Sequence, residues 1–381
     1  MNKYNVKSSI AMLHVACTAF FCCFVFLYLY YYQADVLAVV QHTLSKGQTH
    51  YDRTIGALLI TIVLYLAHLA NVQLLGRSNV CFAFTFFVPL FLLSLLTGIT
   101  VSGDSFSVRW LMPLLLVVGL PLLGVFVSRK MFLSEDDLFR HGTFSRIAWL
   151  NFLVLSLLCI FSCMSVDADR HTHISCSMES EIAAGDYGKA LEISRLTDCP
   201  NAEISMLVCY SLSRQGQLPD RLFSYPVSGQ SSFLLPDGER LRLHLIPVNQ
   251  LYDYLGGRVS CLSSPMEYLR LLQRKGRLKK PGIDYLLCGY LLDCDRDAFV
   301  DELPKYYAIN DSLPRHYREA LVLHTHHQMV PDVEYRDNVM EADYQDFLKI
   351  KRSIPDRVKM LNKLRDVYGN TYWYYYEVNC K

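Results

Sequence analysis

The segment 10-IAMLHVACTAFFCCFVFLYLYYY-32 contains no Asp, Glu, Lys or Arg over 23 consecutive residues. As an α-helix, an apolar stretch of about 20 residues crosses a hydrocarbon core roughly 30 Å thick. The stretch is longer than the apolar region of a cleaved signal peptide, and the four tyrosines near its end favour the headgroup layer. The segment therefore predicts a retained first membrane span.

Four further stretches share this absence of charge, and all five lie within the first 166 residues. They predict a five-helix transmembrane bundle in domain 1–166, with spans at about 10–32, 55–75, 80–101, 110–128 and 147–166. Residues 167–381 contain no comparable stretch. We therefore expect them to form a separate soluble domain.

Charge is divided unevenly between these two domains. Residues 1–166 carry 10 Lys/Arg and 6 Asp/Glu, a net charge of +4, and residues 167–381 carry 27 and 30, a net charge of −3. Neither balance indicates a clustered basic face, so no nucleic-acid partner is expected. The loops on alternate sides of the five spans hold 7 and 3 Lys/Arg, and the richer side is normally cytoplasmic.

These loop charges predict a multi-pass protein of the cytoplasmic (inner) membrane, with the lipid bilayer as its first partner. Its N-terminus would lie inside and its C-terminal domain outside the cytoplasm.

In the C-terminal domain, apolar residues recur at helical spacing and are interrupted by Gly and Pro. This pattern predicts an all-α domain. The segment Ser224–Leu243 is expected to be a loop, because it holds two prolines and two glycines. The later predicted helices are Met266–Arg274, Ile283–Asp293, Ala298–Tyr307, His316–His327, Tyr344–Lys351 and Asp356–Val367.

Two glycine-containing turns give this domain a repeat-like sequence pattern. Gly185-Asp186-Tyr187, followed by Ala190-Leu191, resembles the turn and second helix of a tetratricopeptide repeat. A similar pattern begins at Gly216, which is 31 residues later (216 − 185), against a period of about 34 in that family. Because the early Trp of the consensus is absent, the pattern predicts a degenerate, tetratricopeptide-like helical domain.

Three further segments are similar to an uncharacterised family of bacterial membrane proteins, which join a polytopic N-terminal half to a repeat-like helical domain. The segments are LPDRLFSY (218–225), LPRHYREAL (313–321) and TYWYYY (371–376). Members of that family have more membrane spans than the five predicted here. The resemblance implies the architecture and no activity.

The absence of nucleotide-binding, zinc-protease and serine-hydrolase motifs favours a non-catalytic function without a cofactor. The sequence predicts a membrane-anchored scaffold or protein-interaction module, with another envelope or membrane protein as its partner. The aromatic residues expected to line a groove or to pack the fold are Tyr187, Tyr210, Tyr225 and Tyr317.

An enzyme is the alternative hypothesis. Asp35 and Asp52 lie in the predicted first outside loop, where glycosyltransferases that use lipid-linked sugars often place an acidic residue. Such a carboxylate would act in acid–base chemistry if it were held beside a donor phosphate.

His171, His173 and Cys176 form the strongest metal-like pattern, because alternate residues of a strand share one side. A solvated linker explains the same residues, and no metal is expected. Seven cysteines in the domain allow disulfides outside the cytoplasm, and Cys176 with Cys199 is one possible pair.

Overall fold

The structure, a computed structural model, describes residues 3–75, 82–98, 146–164, 170–237, 241–258, 264–327 and 335–380. All regular secondary structure in these residues is helical, and no strand occurs among them. The all-α prediction is confirmed. The chain divides into two compact units, Met1–Asp169 and Arg170–Lys381, which we call the N-terminal and C-terminal units.

In the N-terminal unit, the first apolar stretch belongs to a helical rod that continues beyond Tyr32. The rod consists of α1 (Lys3–Leu27), a π-helical turn (Tyr28–Gln33) and α2 (Ala34–Leu44). The residues after Tyr32 include neither Gly nor Pro before the rod ends, so nothing breaks the helix at the tyrosines. The helix that contains the predicted first span therefore continues to Leu44.

The other helices of this unit are also apolar. They are α3 (Arg53–Leu75), a 3-10 turn (Phe82–Phe86) that leads into α4 (Phe87–Thr97), and α5 (Arg146–Met164). Two helices are long and apolar enough to cross a membrane, Ile10–Leu44 with 35 residues and Arg53–Gln73 with 21. Phe82–Thr97 and Ala148–Met164 are shorter apolar helices, and the predicted span 110–128 lies outside the described residues. Two of the five predicted spans therefore meet the length criterion in the described residues.

Polar side chains satisfy the irregular backbone around the 3-10 turn. The Asn71 side chain donates to the Thr85 carbonyl at 2.7 Å, and the Asn151 side chain accepts from the Ala83 N–H at 2.8 Å. His68 stacks on Phe86 with ring centres 3.9 Å apart. In an apolar environment each unpaired backbone group would cost several kcal/mol. The side-chain amides of Asn71 and Asn151 therefore stabilise the 3-10 turn by bonding to its backbone groups.

The C-terminal unit is a series of short helices joined by tight turns and one long irregular segment. The segment predicted as a loop, 224–243, begins at the last residue of a 3-10 turn (Leu222–Ser224) and otherwise contains, in its described part, the 3-10 turn Ser231–Phe233. The helices are α6 (Arg170–Ala183), α7 (Tyr187–Ser194), α8 (Ala202–Arg214), α9 (Leu218–Arg221), α10 (Val248–Leu255), α11 (Pro265–Arg274), α12 (Lys280–Leu292), α13 (Arg296–Glu302), α14 (Arg315–His327), α15 (Asn338–Ser353), α16 (Arg357–Tyr368) and α17 (Tyr372–Asn379).

Residues with positive φ occupy the turns at the two glycines of the repeat-like pattern. Gly185 (φ +86°) follows α6 and Gly216 (φ +68°) follows α8, as expected for the left-handed end of a helix. Cys294 (φ +61°) has the same position after α12, and Asp295 then caps α13 as Asp186 caps α7. The second hairpin departs from a tetratricopeptide repeat, because α9 has only four residues.

One hydrophobic core extends through the C-terminal unit from α6 to α17 and is rich in tyrosine. A disulfide joins Cys294 to Cys380, 86 residues apart, with 5.9 Å between their Cα atoms. Cys176 and Cys199, the pair considered from sequence, are not joined by a disulfide; Cys176 is buried and Cys199 is exposed. The disulfide therefore holds α17, near the end of the chain, against the turn between α12 and α13.

Candidate partner-binding site

The two acidic residues of the enzyme hypothesis have structural roles in the N-terminal unit. Asp35 accepts a hydrogen bond from the Arg53 guanidinium at 2.7 Å, which links α2 to α3. Asp52 accepts from the backbone N–H groups of Thr54 and Ile55 and so caps α3. The hypothesis of a lipid-linked-sugar enzyme stays a prediction, and neither carboxylate contributes an observation in its favour.

His171 and His173 both lie on α6, so the strand-like arrangement considered for a metal site does not occur there. Two residues apart on a helix are about 200° apart around its axis, so the two imidazoles have different directions. His171 bonds through Nε2 to the Cys199 carbonyl at 2.8 Å, and Cys176 is buried. Potential metal ligands come together elsewhere in the unit, at Glu179, Glu203 and His244.

Of the four tyrosines proposed as partner-binding or packing residues, Tyr317 lies deepest in the core. Its side chain is 0% exposed, and its hydroxyl donates to Asp284 at 3.3 Å. The other three, Tyr187, Tyr210 and Tyr225, each contact an arginine near the surface.

Tyr187 and Tyr210 come together around Arg214, with Tyr254 as a third aromatic neighbour. The guanidinium carbon of Arg214 lies 5.1 Å from the ring centre of Tyr187, 5.8 Å from that of Tyr210 and 5.1 Å from that of Tyr254. Arg214 also donates through Nη1 to the Tyr210 hydroxyl at 3.0 Å. We call these four residues the Arg214 cluster.

Local structure explains why this cluster forms. Tyr187 is the first residue of α7, directly after the capping Asp186. Tyr210 and Arg214 are four residues apart on α8 and therefore share a face. Tyr254 comes from α10, where its hydroxyl donates to the Ser213 carbonyl at 2.9 Å. Three helices thus hold one guanidinium in a fixed position.

The Arg214 guanidinium has no carboxylate partner among the described residues, although it is half-buried. Burial alone would lower its pKa, but the neighbouring Tyr210 and then Tyr187 and Tyr254 raise the pKa above its ordinary value. The group is therefore charged at every physiological pH. A guanidinium has five N–H donors, and a single one is engaged by the described residues.

Tyr225 lies between two further arginines. The guanidinium carbons of Arg195 and Arg221 lie 5.1 and 5.7 Å from the centre of its ring. Both arginines donate to the Tyr225 hydroxyl, at 3.4 and 3.3 Å, and neither forms an ion pair with a described carboxylate. We call these three residues the Tyr225 cluster.

α7 connects the two clusters, because it begins at Tyr187 and its C-cap is Arg195. Eight residues of helix correspond to about 12 Å. Two cationic positions near the two ends of this short helix, each lined by tyrosine, suit a ligand that carries several carboxylates. Arginine and tyrosine are also the residues that most often dominate the energy of protein interfaces.

The sequence reasoning missed all three arginines and Tyr254. The spacing of Tyr210 and Arg214 on one helix face was a usable signal, because a Tyr and an Arg at i and i+4 contact each other. The contribution of Tyr254 comes from a helix 40 residues further along the chain (254 − 214), and spacing contains no information on it.

Comparison with known proteins identifies the family. The sequence model of a family of unknown function, DUF6057, matches residues 104–280 and 262–379. The chain belongs to this family. The DUF6057 match covers the described part of the C-terminal unit up to residue 379 and therefore includes both arginine–tyrosine clusters. The expectation of an uncharacterised family is confirmed. No curated protein and no solved structure matches the chain significantly.

Proposed function

We propose that this protein is a membrane-anchored, non-catalytic interaction module whose C-terminal unit binds an acidic segment of another envelope or membrane protein. The observation that carries the proposal is Arg214, a charged guanidinium held by three tyrosines with no described carboxylate beside it. A partner carboxylate would complete its hydrogen bonding through the N–H groups that the chain leaves available.

The energetics favour such a ligand. An Arg in contact with an aromatic face gains about 0.5–2 kcal/mol from cation–π attraction, depending on how far it is desolvated. The three rings also reduce the side-chain entropy that binding would otherwise cost, because the guanidinium is already positioned. The Tyr225 cluster supplies a second cationic position for the same acidic segment.

The N-terminal unit is the membrane anchor in this proposal. Its two long apolar helices support the anchor, and the five spans with an inside N-terminus remain our proposed topology. The Cys294–Cys380 disulfide supports an outside location of the C-terminal unit, because disulfides persist mainly in oxidising compartments. The degenerate tetratricopeptide-like character of the unit is part of the same proposal.

A peptide-binding experiment on the detergent-solubilised full chain tests the function. We expect a short fluorescein-labelled peptide rich in glutamate to bind, with an affinity that decreases as salt rises. Arg214→Gln should weaken binding by roughly 10- to 150-fold, since a hydrogen bond to a charged group contributes roughly 1.5–3 kcal/mol. Fluorescence anisotropy measures the dissociation constant of the peptide for the parent and for the variant.

Arg352→Gln is the matched control, because Arg352 is an exposed arginine on α15 without an ion pair to a described residue. It removes the same charge and should leave binding unchanged. Equal loss in both variants would show that net charge alone attracts the peptide, and no loss in Arg214→Gln would contradict the proposal. Co-purification from membranes should then recover a stoichiometric partner that depends on Arg214.

A further inference from the structure

Glu179 is a buried carboxylate whose basic neighbour among the described residues is the imidazole of His244. It lies on α6, is 1% exposed, and forms no ion pair with any Lys or Arg that the structure describes. Its oxygen Oε2 accepts from the backbone N–H groups of His244 at 2.9 Å and Leu245 at 2.7 Å. Isolated buried charges are costly, so a cation beside this carboxylate would stabilise the fold.

Two other potential ligands approach the same carboxylate. His244 Nδ1 lies 3.4 Å from Glu179 Oε1 and 4.0 Å from Glu203 Oε1. One ligand atom of each of the three residues lies within 4.8 Å of the other two. In a tetrahedral zinc site with bonds near 2.0–2.1 Å, ligand atoms are about 3.3 Å apart. The His244–Glu179 distance matches this spacing, and the half-buried Glu203 carboxylate would move closer to His244 to complete the site.

The fold holds these residues from three directions. Glu179 comes from α6, Glu203 from the first turn of α8, and His244 from the irregular segment before α10. The His244 and Glu203 side chains remain 19% and 23% exposed, which leaves an entry path for an ion. The two N–H groups that bind Glu179 would orient it, as hydrogen bonds to ligand carboxylates do in metal sites.

We propose that Glu179, Glu203 and His244 bind one divalent transition-metal cation such as zinc. One imidazole and two carboxylates are ligands that zinc accepts, and three protein ligands leave a fourth position for solvent. The cation would neutralise the buried Glu179 and attach the irregular segment to α6 and α8.

The site is independent of the proposed partner binding. Glu203 lies in the first turn of α8 and Arg214 at its last residue, about 16 Å away by the rise of a helix. The loss of one activity therefore need not change the other.

Zinc binding to the full chain tests the inference. The protein is purified in detergent with a tag that lacks histidine, treated with EDTA, and titrated with Zn²⁺ against a chromophoric chelator. We expect one equivalent to bind with micromolar or higher affinity and to raise the thermal unfolding temperature. Co²⁺ should give visible absorption bands of a tetrahedral site.

Glu203→Gln and His244→Asn should each weaken Zn²⁺ binding at least about tenfold, while circular dichroism shows the same helix content. The matched controls are Glu181→Gln and His171→Asn, which change an ion-paired Glu and a hydrogen-bonded His on α6. They should bind Zn²⁺ as the parent does. The inference is overturned if one-equivalent binding is absent, or if it persists in folded Glu203→Gln and His244→Asn.

Discussion

Burial and hydrogen bonding have opposite effects on the Asp284 carboxylate of α12. Burial, the larger effect, raises its pKa above the ordinary value of 3.8, and hydrogen bonds from Tyr307 and Tyr317 partly offset the rise. These hydroxyls lie 2.6 and 3.3 Å from Asp284 Oδ1. Between the unfolded and folded pKa values the folded state binds more protons, so the Asp284 contribution to stability is present at low pH and decreases as pH rises.

Asp284→Asn tests this sign, because the amide cannot lose a proton and its oxygen can still accept from Tyr307. We expect the unfolding temperature of the variant, relative to the parent, to increase as pH is raised from about 4 towards 7. Thermal unfolding of the solubilised chain at several pH values measures the difference. Asp253→Asn, an exposed carboxylate on α10, should show no such trend. A constant difference for Asp284→Asn would rule out the raised pKa.

At the scale of elements, regular helices were predictable and their ends and tertiary partners were less so. The predicted helix His316–His327 agrees with α14, because its apolar residues recur at helical spacing. α17 was missed, since 371-TYWYYY-376 shows no amphipathic pattern and is helical through burial against the core. The turn after α12 was equally hard to foresee, because Cys294 occupies a conformation that usually selects glycine.

Two helical glycines give opposite predictions for the same substitution. A Cβ on Gly282 of α12 would meet the Leu255 carbonyl oxygen of α10 at 2.7 Å, so Gly282→Ala should destabilise by roughly 1–3 kcal/mol. A Cβ on Gly188 of α7 would meet only side-chain atoms at 3.5 Å or more. Gly188→Ala should therefore stabilise by about 0.5–1 kcal/mol, because alanine loses less entropy in a helix. Unfolding in urea compares the two, and a similar effect of both variants would contradict the close α10–α12 packing.

For the whole molecule, composition predicted the boundary between the two units but not which side chains come together within them. The change from uncharged stretches to a charged tail predicted a boundary at 166/167, and the compact units divide after Asp169. Two of the tyrosines chosen from sequence, Tyr187 and Tyr210, lie in one cluster with Arg214. The cluster itself could not be predicted, because it depends on how α7, α8 and α10 pack together.

The disulfide gives a prediction at this scale. Cys380→Ser should lower the stability of the C-terminal unit by about 2–4 kcal/mol, since the bond closes a long loop in the unfolded chain. Reductant should lower the unfolding temperature of the parent and leave that of the variant unchanged. Cys199→Ser, at an exposed free thiol, is the control and should behave as the parent does. Alkylation of both Cys294 and Cys380 without reductant would contradict the bond.

The helical rod that contains the first predicted span has a geometric consequence for the N-terminal unit. Its 35 residues from Ile10 to Leu44 extend for about 52 Å, whereas a bilayer with its headgroups is about 40–45 Å thick. A rod that crosses the bilayer near its normal therefore carries the turn at Lys46 and Gly47 beyond the lipid, unless the rod tilts strongly. That turn would be a fixed point on one face of the membrane, where a protease or an antibody could distinguish the two sides of a sealed vesicle.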